Sequence, residues 1–140
     1  MKRTNTFTTV ILLVVLVVGG CRSTKEASGS ADAGLLTENF DRFYDRFHAD
    51  SSFQVSRISF PLRGYSADSD TVTQWTPENW PMMKTRIYDV DTTIYKVSFK
   101  RSPGVFEQKV WLEHSGFSSE SRFELKGRKW YLVYVLDLNL

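Results

Sequence analysis

The stretch Phe123-Glu124-Leu125-Lys126-Gly127-Arg128-Lys129-Trp130-Tyr131-Leu132-Val133-Tyr134 decides the fold. Phe123 and Leu125 fall on one side of a strand, because successive side chains of extended chain point to opposite faces. Lys126-Gly127-Arg128 is a polar turn around a glycine. The run from Lys129 to Leu136 is apolar on both faces. A strand of that kind belongs in the middle of a curved sheet or beneath a helix.

Two further strands are expected upstream. Tyr95, Val97 and Phe99 alternate with Lys96, Ser98 and Lys100. Phe106, Val110 and Leu112 share a face, with Glu107, Lys109 and Glu113 on the other. Gly104 and Gly116 mark the turns between them. A sheet with one apolar face needs a cover, and the first periodic segment supplies it. Leu36, Phe40, Phe43 and Phe47 recur at helical spacing and Tyr44 widens the stripe. Thr37 or Asp32 is the expected cap, and Glu38 and Arg42 form an i,i+4 pair on the outer face. Asp50-Ser51-Ser52 ends this helix and starts another turn through Phe53 to Ser56. Ile58, Phe60 and Leu62 predict a short strand, in which Pro61 suits an edge. Gly64 to Pro81 reads as irregular, with a short helix beginning at Thr76-Pro77-Glu78. The fold class is therefore α+β: an N-terminal amphipathic helix packed on a curved antiparallel sheet.

That order resembles the cone-shaped fold of the nuclear transport factor two-like and cystatin-like proteins. The resemblance rests on the helix Phe40-Asp41-Arg42-Phe43-Tyr44-Asp45-Arg46-Phe47 and on the closing hairpin quoted above. More narrowly, Asp50-Ser51-Ser52-Phe53-Gln54-Val55-Ser56-Arg57-Ile58-Ser59-Phe60-Pro61-Leu62 resembles the core motif of an uncharacterised lipoprotein family of Bacteroidales, catalogued as a domain of unknown function. The resemblance implies the cone fold and an extracytoplasmic lipoprotein. It implies no reaction, since the superfamily holds isomerases, dehydratases and pure binding modules.

The leader carries its own signal. Lys2 and Arg3 precede the apolar run Val10 to Val18, which closes in Gly19-Gly20-Cys21. Positive, apolar, then small is the layout of a secretory signal peptide. The run is shorter than the roughly 20 residues a membrane span needs. Cys21 is the expected lipid-attachment site. Two or more acyl chains there would anchor the protein stably. The domain reading is residues 1–20 signal peptide, 21–34 lipidated cysteine and tether, and 35–140 a single α+β domain. The tether RSTKEASGSADAG lacks any large apolar residue and is expected to form a coil of about 20 Å end to end. Arg22 stands where an inner-membrane retention signal would place Asp, which favours the outer membrane.

Cleavage before Cys21 changes the electrostatics. Losing Lys2 and Arg3 from 18 basic residues leaves 16, against 16 acidic ones. A neutral, mixed surface gives no case for nucleic acid as a partner. With its only cysteine lipidated, the chain has no thiol for a disulfide, a zinc site or a nucleophile. No Gly-rich phosphate loop, Ser-His-Asp set or zinc spacing is present, and no cofactor is expected.

Three groups of residues are candidates for function. Asp41, Asp45 and His48 lie along one side of the helix. Asp45 or His48 would be the general base if the cone were the pocket of a small-molecule enzyme of isomerase or dehydratase type. The bland alternative is a solvated face, with Arg42 and Arg46 as partners. Trp75, Trp80 and Tyr65 gather in the irregular middle with Met82 and Met83, either stacking on a ligand or plugging the cone. Arg57 either binds an anion or caps backbone carbonyls, and if buried it needs an ion pair, for which Asp50 or Asp89 is the expected partner. His114, before Gly116, makes a poor metal ligand. The leading expectation is a non-catalytic, lipid-anchored binding or interaction module of the cell envelope, whose partner is an envelope protein or a small ligand.

Overall fold

The computed structural model describes residues 36–140. The signal peptide, Cys21, the tether and Asp32 lie outside these residues. Helix α1 (Phe40–Ala49) leads into α2 (Ser51–Ser56). Asn39 caps α1, its side-chain oxygen accepting from the Arg42 amide at 3.0 Å. This corrects the expected cap at Thr37 and the placing of Leu36 in the stripe, since Leu36 precedes the helix and is 67% exposed. Asp50 closes α1 and opens α2, donating its amide to Arg46 O and accepting from the Phe53 amide at 2.9 Å. The Phe53 amide chiefly holds the Asp50 carboxyl below its ordinary pKa.

Seven strands follow: β1 (Ile58–Arg63), β2 (Tyr65–Asp68), β3 (Val72–Gln74), β4 (Lys96–Ser102), β5 (Val105–Trp111), β6 (Phe117–Lys126) and β7 (Lys129–Asn139). They form one sheet in the order β3-β2-β7-β6-β5-β4, with β1 also on β7. The strands β4 to β7 run as an antiparallel meander, as expected. The sheet as a whole is mixed, however, because β1 and β2 both pair with β7 in parallel. They behave as one long strand broken at Gly64. There φ is +90°, and a Cβ would sit 1.9 Å from the Val135 carbonyl oxygen. Only glycine meets both conditions. The segment read as irregular thus supplies two strands, while Thr76-Pro77-Glu78 forms a turn and no helix.

The core lies between α1 and one face of the sheet. Phe40, Phe43, Tyr44 and Phe47 point down onto Phe106, Phe123, Trp130 and Leu132, all nearly inaccessible to solvent. The rings interlock: Phe40 meets Phe106 at 4.6 Å and Trp130 at 4.8 Å, and Phe47 meets Phe123 edge-on at 5.2 Å. Edge-to-face pairs of this kind add to the area they bury.

Candidate functional site

The helix-facing side of the sheet is filled. The space in which a cone would hold a ligand is occupied by the aromatic cluster and sealed by the chain from Trp75 to Val90. Trp75 and Trp80 belong to this seal. Both are buried and meet edge-on at 5.5 Å. Trp75 Nε1 donates to Val135 O at 2.8 Å, and Trp80 Nε1 to Gln54 Oε1 at 2.9 Å. Their polar atoms are thus committed inward, and neither ring is presented for stacking on a ligand. Tyr65, on β2 opposite Gln74, is partly exposed.

Gln54 organises the seal and had no particular signal in the sequence beyond its place in the family-like motif. It is completely buried. Its amide nitrogen donates to Phe47 O at 2.6 Å and Met83 O at 2.8 Å. Its oxygen accepts from Trp80 Nε1 and from the Met83 amide, both at 2.9 Å. All four hydrogen-bonding positions are used, which is the condition for burying an amide cheaply.

The helix residues separate into two environments. Asp41 and Asp45 stand outside. Asp45 accepts from Arg86 at 2.6 Å and Asp41 from Arg101 at 2.9 Å. These partners replace the expected Arg42 and Arg46. His48 is buried, which corrects the reading of a solvated face. Its Nδ1 lies 2.8 Å from Tyr44 O, and a carbonyl only accepts, so Nδ1 carries the hydrogen. Nε2 is then a buried acceptor with no partner among the described residues. Burial lowers the His48 pKa below 6.5, with Arg86 adding to the effect. Asp45 spends its carboxylate on Arg86 and does not meet the imidazole, so the two do not assemble as an acid–base pair. Tyr44, beside His48, donates to Gln108 Oε1 and accepts from the Ile87 amide, and burial raises its pKa.

Arg57 makes a half-buried ion pair, with a different partner from those expected. Its two terminal nitrogens reach the two oxygens of Glu38 at 2.9 Å each. It also donates to Trp130 O and lies against the rings of Phe53 and Tyr131. Glu38 in turn accepts from the Trp130 amide at 2.8 Å. The pair ties the segment before α1 to the start of β7. It also removes Glu38 from the predicted contact with Arg42, and Arg57 from anion binding.

The opposite face of the sheet has another character. Alternation puts Lys100, Glu107, Lys109, Glu120, Arg122, Glu124 and Tyr134 there, since their neighbours Phe106 and Phe123 face α1. These side chains, with Arg63, line a groove of about 790 Å³. A second hollow of about 420 Å³ shares Ser98 and Lys109 with it and extends past Trp111 towards Phe117. Directly opposed residues carry opposite charge: Glu107 faces Arg122 and Lys109 faces Glu120. Lys109 reaches Glu120 at 2.8 Å, and Arg122 bridges Glu107 at 2.6 Å and Glu124 at 2.8 Å. The carboxylates raise the Arg122 pKa, Glu124 first, and desolvation raises that of Tyr134. Sequence alternation marked this face as polar without showing that it is hollowed.

The fold and sequence have identifiable relatives. A protein-family model matches residues 38–139. The chain is similar to a crystal structure of an NTF2-like protein from Bacteroides fragilis, at 21% identity and a TM-score of 0.51. That match covers 74% of this chain and spans about half (48%) of the other. It is also similar to an NMR structure of a protein from Bacteroides uniformis, at 27% identity and a TM-score of 0.53, covering 74% of this chain and 77% of that one. No curated protein sequence matches the chain.

Proposed function

The chain belongs to the NTF2-like family of Bacteroidales whose model spans residues 38–139, and on that footing we propose a binding or protein-interaction module, lipid-anchored in the cell envelope and working without catalysis. One observation carries the reading. The side of the sheet that would hold a substrate is packed with rings, whereas the opposite side is grooved and lined by charged side chains held in place by one another. Such a face offers oriented donors and acceptors to a partner. The leader supports the anchor, with Cys21 as the acylated residue, an extracytoplasmic address and the outer membrane as the carrier.

Two experiments test the reading. Metabolic labelling with a palmitate analogue should mark the wild-type chain and leave Cys21→Ser unlabelled and released from membranes; label on the serine variant would sink the anchor. A photo-crosslinking amino acid at position 109, in the groove, should give a discrete adduct in cells. The same group at position 84, away from the groove, should not. Equal behaviour at the two positions would sink the assignment of the binding face.

A further inference from the structure

Strand β4 is the free edge of the sheet. It pairs with β5 along seven residues without a bulge, and no strand lies on its other side among the described residues. The turn Pro103-Gly104 pairs Ser102 with Val105. From that pair the antiparallel alternation turns the backbone N–H and C=O of Val97, Phe99 and Arg101 outward. An edge of this length with unpaired backbone groups is a template for another strand.

The side chains on the edge are unusual for one left to water. Phe99 is 53% exposed and packs at 5.2 Å against Tyr88, itself 52% exposed. The pair forms an apolar step on the helix-facing side. Arg101 beside it is neutralised by Asp41. On the grooved side β4 presents Lys96 and Lys100. Lys96 reaches Glu113 only at 3.9 Å, and Lys100 has no ion partner among the described residues. The edge therefore offers apolar contact on one face, open hydrogen-bonding groups, and on the other face two lysines, of which Lys96 is only loosely paired and Lys100 stands across from a Glu107 already engaged by Arg122. A second copy of the chain is a poor occupant, because self-pairing would bring two sets of these lysines onto one face.

We propose that β4 is a docking edge for an extended segment of another protein, in which apolar residues alternate with acidic ones. The segment adds as an eighth strand. Its backbone pairs with Val97, Phe99 and Arg101, its apolar residues pack beside Phe99, and its carboxylates lie beside Lys96 and Lys100 at the rim of the groove. This rests on the binding-module reading and names the partner that it leaves open.

The test uses the full chain and a blocked peptide, Glu-Val-Glu-Phe-Glu-Val-Glu, with two controls: the same residues scrambled, and lysine in place of every glutamate. Hydrogen exchange should show new protection at the amides of Val97, Phe99 and Arg101 with the alternating peptide alone. Phe99→Pro, which removes one outward N–H, should bind at least tenfold more weakly than Phe99→Ala, which keeps it. Absence of protection in the wild type overturns the proposal, as does equal binding of the lysine peptide. Concentration-dependent dimerisation that protects the same amides without peptide would replace the partner with a second copy. Crosslinking from position 109 without protection of β4 would leave the binding face standing and reject strand addition alone.

Discussion

The two faces of the sheet are built from the same strands and solve different problems. Towards α1, the middle of the sheet presents Phe106, Phe123, Trp130 and Leu132, shielded from water with the buried polar Gln108 and Ser121 among them, and stability comes from close packing. Away from α1, the intervening residues are carboxylates, guanidinium groups and amines that remain partly wetted. Ion pairs in that setting contribute little to stability, since solvent screens them and ordering the side chains has a cost. The contrast teaches that the density of contacts on a face does not measure its weight in folding. The inner face holds the molecule together, and the outer face is free to vary its charges for recognition.

Substitutions can break or sharpen this contrast. The largest effect is expected from Gly64→Ala. Its Cβ would meet Val135 O at 1.9 Å in a backbone conformation that L-residues avoid, so β1 or β2 must leave β7. Chemical denaturation should find the variant unfolded or severely destabilised; near-wild-type stability would show that the junction can move. Phe123→Ala, in the middle of the inner face, should cost about 3–5 kcal/mol in the same measurement. Gln54→Ala should cost roughly 3 kcal/mol, because it strands buried groups of Phe47, Trp80 and Met83. Lys109→Gln on the outer face should cost less than about 1 kcal/mol. A loss as large as that of Phe123→Ala would erase the distinction between the faces.

A titration sharpens the inner side. The folded pKa of His48 is lowered below 6.5, so the unfolded chain takes up that proton first. Its contribution to stability is present above about pH 6.5 and is lost as the pH falls from there towards the folded pKa. Arg86 acts in the same sense as burial, while Asp45 and Asp89 oppose it. Asp89, whose carboxyl is held low by Arg86, keeps its charge through this window. Thermal unfolding between pH 7 and 5 should therefore slope downward for the wild type and flatten in His48→Gln. Parallel profiles would remove His48 as the cause.

Periodicity made the inner face legible. Phe40, Phe43 and Phe47 repeat at helical spacing, and the closing hairpin alternates around Gly127, so α1, α2 and the meander could be read directly. What escaped depends on partners distant in sequence. The strands β2 and β3 are four and three residues long and mostly polar, and β2 exists because β7 offers its edge beyond Gly64. Helical spacing sets Glu38 beside Arg42, yet it meets Arg57, 19 positions away. His48 sits close enough to the apolar stripe to be carried inside by Tyr44 and Phe47, and its flanking acids obscured that. The groove was invisible because alternating charge reads alike on a flat surface and a hollow one.

The four hydrogen bonds of Gln54 have a consequence for how the molecule opens. The chain from Trp75 to Met83 has little regular structure of its own, and a segment of that kind ordinarily frays independently. Here its indole and backbone close onto a side chain that stands on α2 and reaches the end of α1. The loop is thereby enrolled in the same cooperative unit as the helical corner. Its amides should exchange with solvent only when that corner opens, so a stretch that looks like a loop would keep time with the core.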